Sequence, residues 1–545
     1  MNTSCKLRTF FIFVCFLFIY VVILFNLYLI QILNADYFAN LAHKQYNITI
    51  TTQPPRAIIY DRHKNPVAVN KESLSAFILP HKIEDPKNLK YFLNKNFPSA
   101  LERLNNHKNK FFMYVKRKLT PEQLQLIDMN NISDIKILTE PSRFYPIDSM
   151  GTIIGVTDID NKGLFGIERE LNKQLAGSST TMTLEKDARS GHFYFKKETT
   201  IAGKDSQPVT LTIDSKLQFL ANEELKDVIS KFEAKEGAVI IINPDNGHIL
   251  AMTNYPHFNP NETTNLDLEL TKNCALTNSY EFGSVMKVFV ALAALDEGVV
   301  TPDELIDCEN VKQTKVDGMS FTTLFSAGLI PFSEVVEKSN NIGMVKVAKR
   351  LGPKLYDHYL RMGFGKKTGL GLGGEVNGFI NHPTKWSKRS IISLSFGYEI
   401  TATLLQLARA FGIIANNGYE VTPQLILKEN DTTKTYPKRL YDEKVIDQIK
   451  AIMQNTVTKG TAKKAAIKGY KIMGKTGTAN LVIDGTYNTS KNIYSFVGII
   501  EKDNYKRVIA TYVKESPQKG LYSSLIVVPL FEQIAEKLLI HDKII

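Results

Sequence analysis

The sequence predicts an α+β domain built on an antiparallel sheet, carried behind an extended N-terminal module and a single apolar helix. Three observations predict it. Two hairpin patterns lie far apart: Gly237–Asn243 with His248–Thr253, and Ile493–Ile500 with Arg507–Val513. A helical region from about Leu266 to Lys464 separates them, so strands from both ends of the segment share a sheet with helices between. Phe10 to Ile30 is uncharged and interrupted only by Asn26, long enough to cross a hydrocarbon core of ~30 Å.

The apolar run comes first. Lys6 and Arg8 precede it and Asp36 is the first acidic group after it, so the short positive flank (residues 1–9) is expected in the cytoplasm and everything after Ala35 outside. Gln31-Ile-Leu-Asn-Ala-Asp36 makes a poor small-residue cleavage site, which favours a retained anchor over 10–33 rather than a removed signal peptide. Cys5 precedes the run, so a lipoprotein site does not fit. Residues 46–207 mix short strand-like and helical patterns, carry no catalytic constellation and read as a pedestal or partner-binding module.

Residues 208–540 form the expected catalytic domain. Pro208-Val-Thr-Leu-Thr-Ile-Asp214 opens it, and Pro244-Asp-Asn-Gly247 is the turn of the first hairpin. Val285 to Glu297 lacks Pro and Gly and is apolar nearly all round, predicting a buried helix that Gly298 stops. Tyr470 to Ala479 reads as a strand leading into the second hairpin. Ser523 to Leu539 is a final helix that covers the sheet despite Pro529.

Composition excludes several classes. An apolar content of 43% and a charged content of 22% belong to a folded chain, not a disordered one. Lys and Arg number 67 against 55 Asp and Glu, a net charge of +12, yet no basic cluster with interleaved aromatics points to nucleic acid. His-Glu-x-x-His and paired Cys-x-x-Cys are missing, so neither a metal nor a cofactor is expected. Cys274 and Cys308 are able to pair in an oxidising compartment, but two free thiols are the expectation.

Chemistry is carried by three elements in order: Ser284-Val-Met-Lys287, Ser339-Asn340-Asn341 and Lys475-Thr476-Gly477-Thr478. A Ser and a Lys three residues apart on a helix share one face, so the amine is able to take the proton of an otherwise weak nucleophile. The spacing recurs at Ser133–Lys136 and Ser516–Lys519, and Lys367-Thr368-Gly369 repeats the third element. Context separates them. Glu281-Phe282-Gly283 reads as a turn that puts Ser284 in the first turn of a buried helix, where outward N–H groups suit an oxyanion. Ser133 lies in a polar stretch, and Ser516 precedes Pro517. Ser339 and Asn341 fall between two helical patterns, where they are able to turn into a cleft or to cap a helix. Gly474 and Gly477 permit close backbone approach, and Lys475 with Thr476 and Thr478 offers a carboxylate site. Gly369 to Gly374 satisfies Gly-x-Gly-x-x-Gly but follows a helical pattern, which argues against dinucleotide binding.

These motifs resemble those of the class B penicillin-binding proteins, in particular the division-type (septal) transpeptidases, over nearly the whole chain. The resemblance implies a transpeptidase fold of the serine β-lactamase kind. It implies an acyl-enzyme on Ser284, Lys287 as base, Ser339 and Asn341 as second motif, and Lys475, Thr476, Gly477 and Thr478 as third. The backbone N–H groups of Ser284 and Thr478 are its expected oxyanion hole. Arg56-Ala-Ile-Ile-Tyr-Asp61-Arg62, Arg143-Phe-Tyr-Pro146 and Gly163-Leu-Phe-Gly166-Ile-Glu168 are similar to three pedestal boxes of the family. Ala57 stands where Gly is usual, and Asn65 where a Gly-containing turn is common.

The implied substrates are peptidoglycan stem peptides ending in D-Ala-D-Ala, with β-lactams as mimics of the donor. Implied partners are the membrane, a polytopic glycan polymerase and other division proteins. The alternatives are an elongation-type enzyme, a membrane-anchored β-lactamase or β-lactam sensor, and a division scaffold with an idle site. No extra carboxylate motif for a deacylating water is apparent, no acidic glycosyltransferase constellation precedes the catalytic part, and all three motifs are intact.

Overall fold

The computed structural model describes residues 3–106, 111–186, 193–427 and 437–544. Parts of the expected N-terminal flank (1–2), pedestal (107–110 and 187–192) and helical region (428–436) lie outside the described residues. The chain divides into two compact units. One comprises residues 1–56 and 176–207. Its helix Thr3–Tyr28 continues through a π-helical turn at Leu29–Leu33, and the stretch Lys6–Leu33 is long and apolar enough to cross a membrane. The side chains from Phe10 to Phe13 stand open on this helix, as lipid contact requires. Strands Asn47–Thr52, Thr180–Lys186 and Phe193–Ile201 form a three-stranded antiparallel sheet with Thr180–Lys186 in the middle.

The other unit comprises residues 57–175 and 208–545. Its N-terminal part is a small sheet in which Pro66–Ile78 pairs with Met113–Lys116, Lys136–Phe144 and Ile59–Tyr60. Helices Pro86–Asn96 and Pro98–Asn106 bury Leu89, Phe92, Leu93 and Leu104 against it. The three sequence boxes meet in a buried polar network. Arg143 Nε donates to Glu168 Oε1 at 2.7 Å, and its Nη2 donates to Ala57 O at 2.8 Å. Asp61 accepts from the amides of His63 and Asn65 and from Ser215 Oγ at 2.6 Å, and burial is outweighed by these bonds, which hold its carboxyl below the ordinary range. Lys64 takes the left-handed conformation of this turn, and Asn65 Nδ2 closes it on Asp61, so no glycine is needed.

The remainder is built around five strands: β1 (Glu236–Ile242), β2 (Ile249–Tyr255), β3 (Lys471–Ile483), β4 (Thr486–Lys502) and β5 (Tyr505–Lys514), in the order β2-β1-β5-β4-β3 and antiparallel throughout. Both predicted hairpins are present. Residue alternation assigns each face: Ala238, Ile240 and Ile242 look into one core, Val239 and Ile241 into the other. The second core is closed by helices α1 (Ser215–Phe232) and α7 (Ser523–His541). The first is filled by α2 (Lys287–Asp296), α3 (Phe332–Glu337), α4 (Asn341–Leu351), α5 (Leu404–Ala415) and α6 (Glu443–Thr458). Pro529 lies inside α7, where it removes a helical hydrogen bond at a cost of about 3 kcal/mol. Burial of Ile526, Val527, Val528, Leu530 and Phe531 around it outweighs that loss.

The stretch predicted to be helical also contains three short antiparallel pairs: Leu305–Asp307 with Leu329–Pro331, Gln313–Val316 with Met319–Thr322, and Phe379–Ile380 with Ile400–Thr401. Ladders of two to four residues are too short to leave a two-residue period in the sequence.

Candidate active site

The nucleophile segment begins as a 3-10 turn, Gly283–Met286, and becomes α2 at Lys287. Gly283 has φ +57°, and Gly298 ends the helix with φ +64°. Ser284 is half-buried on the turn, while every residue from Lys287 to Leu295 is buried.

Lys287 has no exposed surface. Its Nζ donates to Ser339 O at 2.7 Å, to Ser339 Oγ at 3.0 Å and to Asn341 Oδ1 at 2.5 Å. The peptide and amide oxygens only accept, whereas the hydroxyl of Ser339 gives or takes a proton. The site therefore accommodates a charged or a neutral amine by rotation of one O–H. Ser339 adopts φ +56°, an uncommon conformation for serine that turns its carbonyl to Lys287. Asn341 Nδ2 donates to Thr322 O at 2.6 Å, which fixes the amide so that Oδ1 faces the lysine. Asn340 is the helix cap, accepting from Gly343 N at 3.0 Å. The two roles open to this triplet thus divide: Asn340 caps α4, and its neighbours on either side meet Lys287.

Lys475, Thr476, Gly477 and Thr478 lie on β3, the edge of the sheet, so alternate backbone groups there are free of a ladder partner. This edge abuts the nucleophile's turn. A Cβ on Gly477 would meet Phe282 O at 2.2 Å and Val285 Cγ2 at 2.7 Å, and one on Gly283 would meet Thr478 O at 2.8 Å. Thr476 Oγ1 is 2.9 Å from Thr461 Oγ1, and Thr478 Oγ1 is 2.8 Å from Ser523 Oγ. Ser523, at the start of α7, also donates to Gly477 O. Neither Thr461 nor Ser523 carries a sequence signal, since each reaches the site only through the packing of α6 and α7.

Lys475 is as buried as Lys287. Burial pushes its ammonium down to about 7. Lys287 lies well below the ordinary ammonium range, first through burial and then through the positive charge of Lys475. Both burial and the charge of Lys475 thus favour the neutral form of Lys287. One neutral amine beside a hydroxyl and one cation on a strand edge is an arrangement suited to proton abstraction next to a bound carboxylate.

The repeated patterns end elsewhere. Ser133 is exposed in a turn, and Ser516 donates to Phe232 O at 2.7 Å. Thr368 donates through N and Oγ1 to Glu375 Oε1, closing the glycine-rich loop on itself. Cys274 and Cys308 are buried free thiols. Asp296, Glu297 and His358 gather ligand atoms within 4.8 Å of one another, but His358 already bonds Glu297 and Tyr441.

Residues 237–536 match the family described as "Penicillin binding protein transpeptidase domain", and residues 51–211 match "Penicillin-binding Protein dimerisation domain". The chain is 30% identical to the probable peptidoglycan D,D-transpeptidase PbpC of Pseudomonas aeruginosa, over 88% of this chain and 85% of that protein. It is 29% identical to the peptidoglycan D,D-transpeptidase FtsI of Escherichia coli, over 88% and 82%. The fold is similar to that of a peptidoglycan synthetase from Bifidobacterium adolescentis, with a TM-score of 0.71 at 22% identity, covering 91% of this chain and 97% of that one.

Proposed function

The chain belongs to the penicillin-binding transpeptidases and is a peptidoglycan D,D-transpeptidase; we propose that Ser284 carries its acyl-enzyme and that it works in septal wall synthesis. The observation that carries the assignment is the fully buried Lys287, held by Ser339 and Asn341 one helical turn from Ser284. Ser284 Oγ attacks the carbonyl of the penultimate D-Ala of a stem peptide, and Lys287 in its neutral form takes the hydroxyl proton. Charge on the former carbonyl oxygen is met by the N–H groups of Ser284 and Thr478. The C–N bond then breaks, Ser339 relays a proton from Lys287 to the leaving amine, and D-Ala departs. An amine of a second stem attacks the ester, its proton passes to Lys287, and Ser284 regains its own as the C–O bond breaks. Lys475, with Thr476 and Thr478, binds the donor's terminal carboxylate, the role that requires its cationic form. β-Lactams enter by the same route and leave Ser284 acylated.

The protein is membrane-anchored. We assign the N-terminal flank to the cytoplasm, the span to residues 10–33, the pedestal to 46–207 and the catalytic domain to 208–540 on the far side, following the charges of Lys6 and Arg8. The apolar span suits docking against a polytopic glycan polymerase within the bilayer. The septal role rests on the boxes from Arg143 to Glu168 and the approach Lys468–Lys475, which resemble those of septal enzymes.

The test is covalent. Full-length protein is expected to take up one penicillin per chain, and Ser284→Ala to take up none while keeping its melting temperature. Peptide mapping that finds the adduct on Ser133 or Ser516 refutes the nucleophile.

A further inference from the structure

We propose that Glu281 is a positioning residue: with Tyr398, Tyr487 and the backbone of Glu399 it straps the far end of β3 to the turn bearing Ser284, and so sets the width of the acyl-transfer cleft. The proposal rests on Ser284 as nucleophile, and no step assigned above uses Glu281.

Glu281 lies three residues before Ser284, and its two carboxylate oxygens are treated unequally. Oε1 accepts from Glu399 N at 2.7 Å and from Tyr487 Oη at 3.2 Å, while Oε2 is buried with no partner among the described residues. An orphaned buried oxygen is costly, and burial holds this carboxyl above its ordinary range. A glutamate kept under those conditions is supported by what its other oxygen holds in place.

Both donors belong to segments distant in sequence. Glu399 has φ +58°, a conformation rare outside glycine that aims its N–H at Glu281. Two residues earlier, Gly397 packs on the nucleophile's turn so closely that a Cβ there would lie 2.1 Å from Gly283 O. Tyr487 sits at the start of β4, in the arm beyond the register shift between Asn480 and Leu481. Leu481 packs that arm's base into the core, but beyond it the arm is solvent-facing, with Tyr487 48% and Val482 52% exposed. Tyr398 completes the connection. Its Oη accepts from Asn480 N at 3.3 Å, at the irregularity itself, and its ring meets Tyr487 edge-on at 5.0 Å and 82°. The contacts run from Asn480 through Tyr398 and Tyr487 to Glu281, joining the two walls between which Ser284 stands.

The experiment measures penicillin acylation of the full-length protein in detergent, separating the binding constant from the acylation rate constant, with melting temperatures alongside. Tyr487→Phe removes one hydrogen bond from an exposed ring and keeps the ring contact. It is expected to slow acylation about fivefold at unchanged melting temperature. Glu281→Ala is expected to slow it about fiftyfold, and the double variant to be no slower than Glu281→Ala alone, because both act through one connection. Glu281→Gln retains an oxygen that accepts both bonds and is expected to restore the rate to within threefold of the wild type. Multiplying effects in the double variant, or no rescue by glutamine, overturn the strap. Where Glu281→Ala fails to fold, Tyr487→Phe decides alone: a wild-type rate overturns the proposal, and the fivefold loss supports it. A wild-type chain that takes up no penicillin refutes the function on which the proposal rests, a result distinct from either.

Discussion

Replacing Gly477 with alanine adds one methyl group where two elements of the site touch. The new Cβ would lie 2.2 Å from Phe282 O, 2.7 Å from Val285 Cγ2 and 2.8 Å from Ser495 Oγ. Ordinary contact begins near 3.4 Å, so β3 and the turn of Ser284 must separate by about 1.2 Å. The nearest atom is a backbone carbonyl, which cannot rotate away as a side chain would. Overpacking of this kind costs about 1–3 kcal/mol, a fall of roughly 1–4 °C in melting temperature for a domain of this size. The effect on chemistry is larger, because the displaced strand carries Thr478 and Lys475. A misplacement of about 1 Å is worth roughly 10²-fold in rate. Stopped-flow acylation with a fluorescent penicillin, beside a thermal melt, measures both. Gly328→Ala is the control, since its Cβ meets nothing within 4 Å and its backbone is outside the left-handed region. A Gly477→Ala protein that acylates at the wild-type rate would show that contact between β3 and the turn does not set the cleft.

Lys287→Ala is expected to slow acylation by roughly 10²–10⁴-fold, the range of general-base assistance; an unchanged rate in single-turnover uptake removes the proton-transfer role. For carboxylate-bearing β-lactams, the second-order acylation rate is expected to fall as pH rises through about 7, where Lys475 loses its charge, and to fall again in acid once Lys287 is protonated. A flat profile between roughly pH 6 and 9 contradicts the assignment of Lys475. Lys475→Met is expected to stabilise the protein while weakening donor binding. The unfolded lysine keeps its proton to 10.5 and the folded one only to about 7, so at and below pH 7 the fold bears the whole cost of a buried cation. That cost is at most about 5 kcal/mol and vanishes as pH approaches the upper value. Urea unfolding at pH 6 and pH 9 checks it: the gain must be larger at pH 6. Depletion in cells is expected to give long, undivided filaments, and swollen cells that still divide would point to an elongation role.

Much of this molecule is legible in local pattern. Short runs rich in Val and Ile beside a turn mark β1 and β5, and the lack of Pro and Gly from Val285 to Glu297 marks α2. The uncharged run from Phe10 to Ile30 marks the anchor. Each is a property of neighbours along the chain. The order of the three motifs also survives in the sequence, because each is a few adjacent residues whose backbone must take one shape. What the sequence does not contain is convergence. Ser339 and Asn341 close on Lys287 from more than 50 positions away, Ser523 reaches Gly477 and Thr478 from the last helix, and Tyr487 meets Glu281 across 206 positions. No period relates such pairs. They are set by the strand order β2-β1-β5-β4-β3, which puts the edge of β3 against the turn of Ser284. The lowered proton affinities of Lys287 and Lys475 arise in the same way, since a lysine is ordinary until packing removes its water and, for Lys287, also sets the charge of Lys475 beside it.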